Sequence, residues 1–154
     1  PGELRGDFDL TRDLGSLYAN TECGIFGVLP EENRPEAVGE AIPVARRTEV
    51  RTGKAVILAN CRGNEVCAYE IEIEKLYGGS APTRNLLLRV TDPALIALTG
   101  GIVQGMSGSP IVQDGKLVGA VTHVLLDDPQ RGYGILAENM LSASGMTAQS
   151  AASA

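Results

Sequence analysis

The sequence predicts an all-β fold, and three observations predict it. Apolar runs are short and recur roughly every ten residues between Gly, Pro, Asn and Asp clusters, the punctuation of successive strands. The segment Tyr69 to Glu74 alternates Tyr69, Ile71 and Ile73 with Glu70, Glu72 and Glu74, the two-residue period of a strand with one wet face. Helical periodicity is almost absent.

Taken in chain order, Gly24-Ile25-Phe26-Gly27-Val28-Leu29 reads as a strand followed by a polar loop from Pro30 to Pro35. Ala41 to Ala45 reads as a further short strand. Lys54 to Asn60 and Val66 to Glu74 form a hairpin about the turn Arg62-Gly63-Asn64. Glu70, Glu72 and Glu74 are expected to form a solvated sheet edge that resists aggregation, not a metal site. Asn85 to Val90 is another strand. Asp92-Pro93 then has the form of a helix cap with Pro at the first helical position, opening a short turn through Leu98. Ile111-Val112 and Leu117 to Leu126 are strands joined by the turn at 113–116, and Tyr133 to Leu136 is the last strand. Ala137 to Ser144 suits a terminal helix. Residues 1–145 therefore form the predicted domain, with 146–154 a flexible Ala/Ser-rich tail that has nothing to bury.

A chain of 154 residues with 44% hydrophobic and 21% charged residues is ordinary for a folded domain. With no Trp and only two Phe, its core must come from Val, Ile, Leu and Ala. The net charge of −6 argues against nucleic acid or an anionic membrane surface as partner, because each would require a basic face. No apolar run reaches the roughly 18 residues that span a bilayer. Three cysteines and one histidine lack metal-ligand spacing, so no metal or other cofactor is expected. Cys61 and Cys67 flank a turn, and the sequence leaves open whether they pair.

The chemistry concentrates in Gly105-Met106-Ser107-Gly108-Ser109-Pro110. A serine nucleophile needs its hydroxyl on a tight turn and backbone N–H groups aimed where negative charge will develop. Gly105 and Gly108 relieve steric limits on either side of Ser107, letting the N–H groups of Gly105 and Ser107 form an oxyanion hole. Such a string alone is also an ordinary Gly/Ser turn.

The surroundings extend the signal. Ser107 is followed without a gap by Pro110-Ile111-Val112, the Gly115-Lys116 turn, Leu117 to His123, and Tyr133-Gly134-Ile135 before the last helix, an order that resembles the chymotrypsin-like proteases. Thr99 to Ile111, Gly119 to Val124, Asp128-Pro129 and Gly132-Tyr133-Gly134, with Gly24 to Gly27 and the opening Pro1-Gly2-Glu3, resemble more closely the SpoIVB peptidase family of spore-forming bacteria.

That resemblance implies a chymotrypsin-like antiparallel β-barrel fold with a short C-terminal helix, the N-terminal part of the parent enzyme being missing. It implies a serine endopeptidase with Ser107 as nucleophile and a protein or peptide as substrate. It further implies an upstream membrane anchor, export to the space around the forespore, and cleavage of a membrane-associated regulatory partner in sporulation signalling that activates a sigma factor. The family's catalytic His belongs to a Gly-x-x-Gly-His segment expected ahead of Pro1, so the fragment alone is expected to be nearly inactive. The single His123 matches another family His, on the strand that meets substrate.

Asp92 corresponds to the acidic triad member that the family assigns. It is equally explained as a helix cap, and both roles hold only if its second oxygen is free. Thr122 falls where chymotrypsin-like enzymes keep the Ser that supports the catalytic Asp. Gly101, Ile102 and Gln104 precede the oxyanion loop at the expected specificity pocket, although Ile102 and Val103 also suit packing in the barrel. With Thr122 and His123 they make the expected substrate-binding set. The alternative from another class is a non-catalytic barrel that binds an extended peptide along Thr122-His123-Val124 by strand addition.

Overall fold

The structure, a computed structural model, describes residues 6–145 except 8, 38, 79 and 80. The opening Pro1-Gly2-Glu3 and the expected tail at 146–154 lie outside the described residues. A two-stranded sheet, β1 (Ser16–Thr21) and β2 (Gly24–Val28), precedes six further strands: β3 (Gly53–Arg62), β4 (Glu65–Leu76), β5 (Leu86–Val90), β6 (Pro110–Gln113), β7 (Lys116–Leu125) and β8 (Asp128–Leu136). These six close into an antiparallel barrel in the order β3-β4-β5-β8-β7-β6. Helix α1 (Pro93–Thr99) connects β5 to the loop before β6, and α2 (Ala137–Ala143) ends the described chain.

The barrel follows from two-residue alternation. Ile57 on β3, Ile71 and Ile73 on β4, Leu86, Leu88 and Val90 on β5, Ile111 on β6, Val118 and Val121 on β7 and Ile135 on β8 are nearly fully buried. They fill the interior with aliphatic side chains, as the scarcity of aromatics requires. The seam between β3 and β6 is short, pairing only Val56 with Val112 and Ile57 with Ile111. Gln113 reinforces it: its buried amide donates to the carbonyls of Arg51 and Lys54 and accepts the Arg51 N–H. Asn85 does similar work at the other end. Its side chain donates to Ala81 O and accepts from Leu136 N and Asn139 Nδ2, tying β5 to the start of α2.

Closure corrects one expectation. β4 is paired on both sides, by β3 and β5, so Glu70, Glu72 and Glu74 are not on a sheet edge. Glu72 and Glu74 face outward, where Arg89 bridges both and Arg131 binds Glu74 and Asp128. The Arg131 guanidinium, ahead of Arg89, holds the Glu74 carboxyl below its usual range. The expected strand at Ala41 to Ala45 reduces to one parallel bridge, Val44 to Leu117, flanked by Leu117 N to Pro43 O and Ala45 N to Leu117 O. Pro43 has no N–H with which to extend a ladder. β1 was not legible, because a bulge between Leu17 and Ala19 breaks its alternation. The last strand begins at Asp128, five residues earlier than expected.

Candidate active site

The loop from Gly101 to Ser109 is anchored at both ends before it presents anything to solvent. Gly101 and Ile102 are buried against the start of β8, where Ile102 N donates to Pro129 O at 2.7 Å. Gly101 is required there. Its φ is +141°, and an added Cβ would lie 2.2 Å from Pro129 O. Downstream, Gly108 N donates to Val121 O at 2.8 Å and Val121 N donates to Ser109 O at 3.0 Å, fastening the loop to β7.

Between these anchors the backbone amides divide into two sets. Met106 N donates to Val103 O, Gly108 N to Val121 O and Ser109 N to Met106 O. Among the described residues the N–H groups of Gln104, Gly105 and Ser107 meet no acceptor. Gly105 and Gly108 hold φ of +98° and +91°, a left-handed region that admits Gly readily. Of these, the Gly105 and Ser107 donors stand at alternate positions at an exposed serine, the form of an oxyanion hole. Met106 is buried in the core beneath them, its sulfur accepting the Val103 N–H, and so supports the loop from below.

Ser107 is exposed, and its Oγ donates to the Thr122 carbonyl at 3.0 Å. Thr122 is the extra residue of a β-bulge: Val121 pairs with Gly134 and His123 with Tyr133. The bulge re-aims the Thr122 carbonyl toward Ser107. The Thr122 hydroxyl donates to Tyr133 O at 3.2 Å, so its proton serves the β7–β8 ladder and not an acidic residue.

β6 stops at Pro110, opposite Ala120, whereas β7 continues to Leu125. Beyond the Ser107 loop, His123 to Leu125 therefore has β8 on one side and, among the described residues, no strand on the other. His123 itself is exposed, and Ser107 Oγ bonds to the carbonyl of the preceding residue instead of its imidazole. On another side of Ser107 a cleft of about 510 Å³ is lined by Leu58 to Cys61 of β3, Thr99, and Val103 to Ser107 with Ser109.

The expected residues thus separate. Gly105, Ser107, Thr122 and the His123 edge meet in one place, and Gln104 lies exposed in the cleft wall. Gly101 and Ile102 do not line the cleft: Ile102 is 4% exposed, belongs to the core, and packs its Cδ1 against Gly132. Packing, the second of the two roles expected for Ile102, is the one it has.

Asp92 has the cap role expected of it. Its Oδ1 accepts the N–H groups of Ala94 and Leu95, and its Oδ2 accepts that of Glu70. It is absent from the Ser107 cleft, and its neighbours Thr91 and Glu70 line a different cavity. Each carboxylate oxygen thus already accepts at least one backbone N–H. Asp92 caps α1 and pins it to β4.

The Glu70 amide first, then those of Ala94 and Leu95, hold the Asp92 carboxyl below its ordinary value. A pKa lower in the folded state gives stability that is present above the unfolded value and lost as pH falls through the folded one. Asp92→Ala is therefore expected to lose about 1–2 kcal/mol of stability at neutral pH. In urea titrations the gap from wild type should narrow below about pH 4, the ordinary Asp range. Asp92→Asn, which keeps an acceptor at the cap, should leave Ser107 reactivity within a few-fold, against a loss of about 10⁴-fold for a triad member.

A closed six-stranded barrel of this order, presenting a serine between two unspent amides beside an open strand edge, defines the nucleophile-bearing barrel of the chymotrypsin-like protease fold. The chain belongs to the SpoIVB peptidase S55 family, whose model matches residues 1–141. Among solved structures it is similar to the active form of the Rv3671c protease from M. tuberculosis, with 21% identity, a TM-score of 0.56, and coverage of 86% of this chain and 59% of that one. The inactive form of the same protease gives 19% identity and a TM-score of 0.54, covering 85% of this chain and 65% of that one. The chain thus spans about three fifths of the length of these structures. No curated protein matches it significantly.

Proposed function

We propose that this chain supplies the nucleophile, oxyanion hole and substrate-pairing strand of a serine endopeptidase. The observation that carries the reading is the pair of unspent N–H groups, Gly105 and Ser107, around a serine clamped to an open strand edge. A substrate strand adds to the His123–Leu125 edge through main-chain hydrogen bonds, bringing its carbonyl to Ser107. Ser107 Oγ attacks the carbonyl carbon and its proton passes to a base. The oxyanion rests on the Gly105 and Ser107 amides until the protonated amine leaves, and water then hydrolyses the acyl-enzyme.

The base is a histidine other than His123, in the Gly-x-x-Gly-His segment that the family resemblance places ahead of Pro1. From the same resemblance we assign the enzyme to the sporulation signalling route that activates a sigma factor, exported and membrane-anchored, with a membrane-associated regulatory protein as substrate. The unengaged His123 edge also suits a barrel that binds peptides without turnover.

A fluorophosphonate probe separates the two readings. Covalent labelling of the full-length protein at Ser107, located by peptide mass spectrometry, is the expected result. Peptide binding without any label would establish the non-catalytic reading instead.

A further inference from the structure

Cys61 and Cys67 are both free and half-buried, and both pack against the barrel core. Tyr69, 7% exposed, lies in the same core cluster and interacts with both thiols. Burial first, then the two thiols, pushes the Tyr69 phenol up to about 12, so it stays neutral. The hairpin is irregular at this point. Ala59 pairs with Cys67 and Arg62 with Glu65, so Asn60 and Cys61 together oppose Val66. Such a bulge removes one rung from the offset between Cys61 and Cys67, toward the Cα separation of about 4.4–6.8 Å that a disulfide spans. The ladder is already interrupted there, so the backbone has freedom to adjust.

The same stretch faces the Ser107 loop. Asn60 and Cys61 line one wall of the cleft, and Gly105 and Ser107 line another. Cys67 and Tyr69 are not on the cleft. Cys23, the remaining cysteine, lies elsewhere, its thiol donating to Pro82 O at 3.8 Å.

We propose that Cys61 and Cys67 form a reversible dithiol–disulfide pair that sets the shape of the Ser107 cleft. The inference rests on the reading of that cleft as part of a protease site. The oxidant is a small-molecule disulfide such as glutathione disulfide. One cysteine thiolate attacks it to give a mixed disulfide and one glutathione thiol. The other cysteine then displaces the second glutathione, so two protein thiols become one S–S bond as one external disulfide becomes two thiols. Oxidation draws Cys61 out of the cleft wall toward Cys67 and fixes the bulge. The Leu58 to Cys61 wall of the cleft is thereby reshaped.

The test equilibrates the full-length protein in glutathione buffers from reducing to oxidising and reads three quantities. Peptide mass spectrometry should find a Cys61–Cys67 cross-link in oxidising buffer that is absent in reducing buffer. The Gly105 and Ser107 amide resonances should move between the two states. Cleavage of fluorescently labelled casein should fall roughly tenfold on oxidation, the scale of a lost pocket contact. Cys67→Ser should hold all three readouts at their reduced values, whereas Cys23→Ser should keep the response. Absence of the cross-link, unmoved amides, or equal casein cleavage in both states overturns the proposal. If neither state cleaves casein or takes a fluorophosphonate label, the protease reading fails, and the coupling of the thiols to the cleft stands or falls on the cross-link and the amides.

Discussion

Ser107→Ala is expected to reduce peptide-bond cleavage by the full-length protein by about 10⁶-fold, the scale on which a catalytic serine acts. The substitution removes one oxygen from an exposed position, so folding should be unaffected: among the described residues the side-chain bond lost is that to Thr122 O. A residual acceleration of about 10³-fold over the uncatalysed reaction should survive, because the Gly105 and Ser107 amides are backbone groups and still stabilise an oxyanion. The check is turnover of a peptide substrate alongside a urea unfolding curve. Normal unfolding with lost turnover assigns the effect to chemistry. Turnover unchanged by the substitution would remove Ser107 from the mechanism.

Gly119→Ala is expected to have the largest effect on folding. Gly119 lies in β7, opposite Leu136, and a Cβ there would stand 1.8 Å from Ile135 O, 2.9 Å from its carbonyl carbon and 3.1 Å from Leu136 Cα. All three are backbone atoms that no rotamer change can move. One methyl group would have to part β7 from β8 where they are packed, beside the buried Val118 and Val121. The cost should exceed about 4 kcal/mol, a large share of the roughly 5–15 kcal/mol that holds an ordinary domain together. Gly78→Ala is the control, since nothing lies within 4 Å of the added carbon, and it should change stability by less than about 0.5 kcal/mol. Equal urea midpoints for Gly119→Ala and wild type would show that the two strands are not in such close contact.

Both predictions concern residues that are prominent in the sequence, but for different reasons. Ser107 announces itself through the glycines around it, and its neighbours on β6 and β7 are local in the chain. The same locality made the β3–β4 hairpin, the α1 cap at Asp92 and the helix after Leu136 readable. Gly119 reads only as a glycine within an apolar strand, and what it touches, Ile135 and Leu136, lies sixteen and seventeen residues away on β8. Asp92 shows the limit most directly. Ala94 and Leu95 are neighbours in sequence, whereas the Glu70 N–H that occupies its second oxygen comes from another strand. Gln113 and Asn85 carried no sequence signal, because their partners are carbonyls and amides brought together only by barrel closure.

The sequence by itself determined that this is an all-β protein with a serine presented on a glycine-bounded turn, because alternation, turn residues and caps act over a few residues. Only the tertiary structure decided which groups share that turn's surroundings. Closing the barrel turned Ile102 into the core, committed Asp92 to its helix, ended β6 short of β7, and set Cys61 beside the Ser107 cleft. Those outcomes depend on register and closure between distant strands, which one-dimensional patterns do not specify.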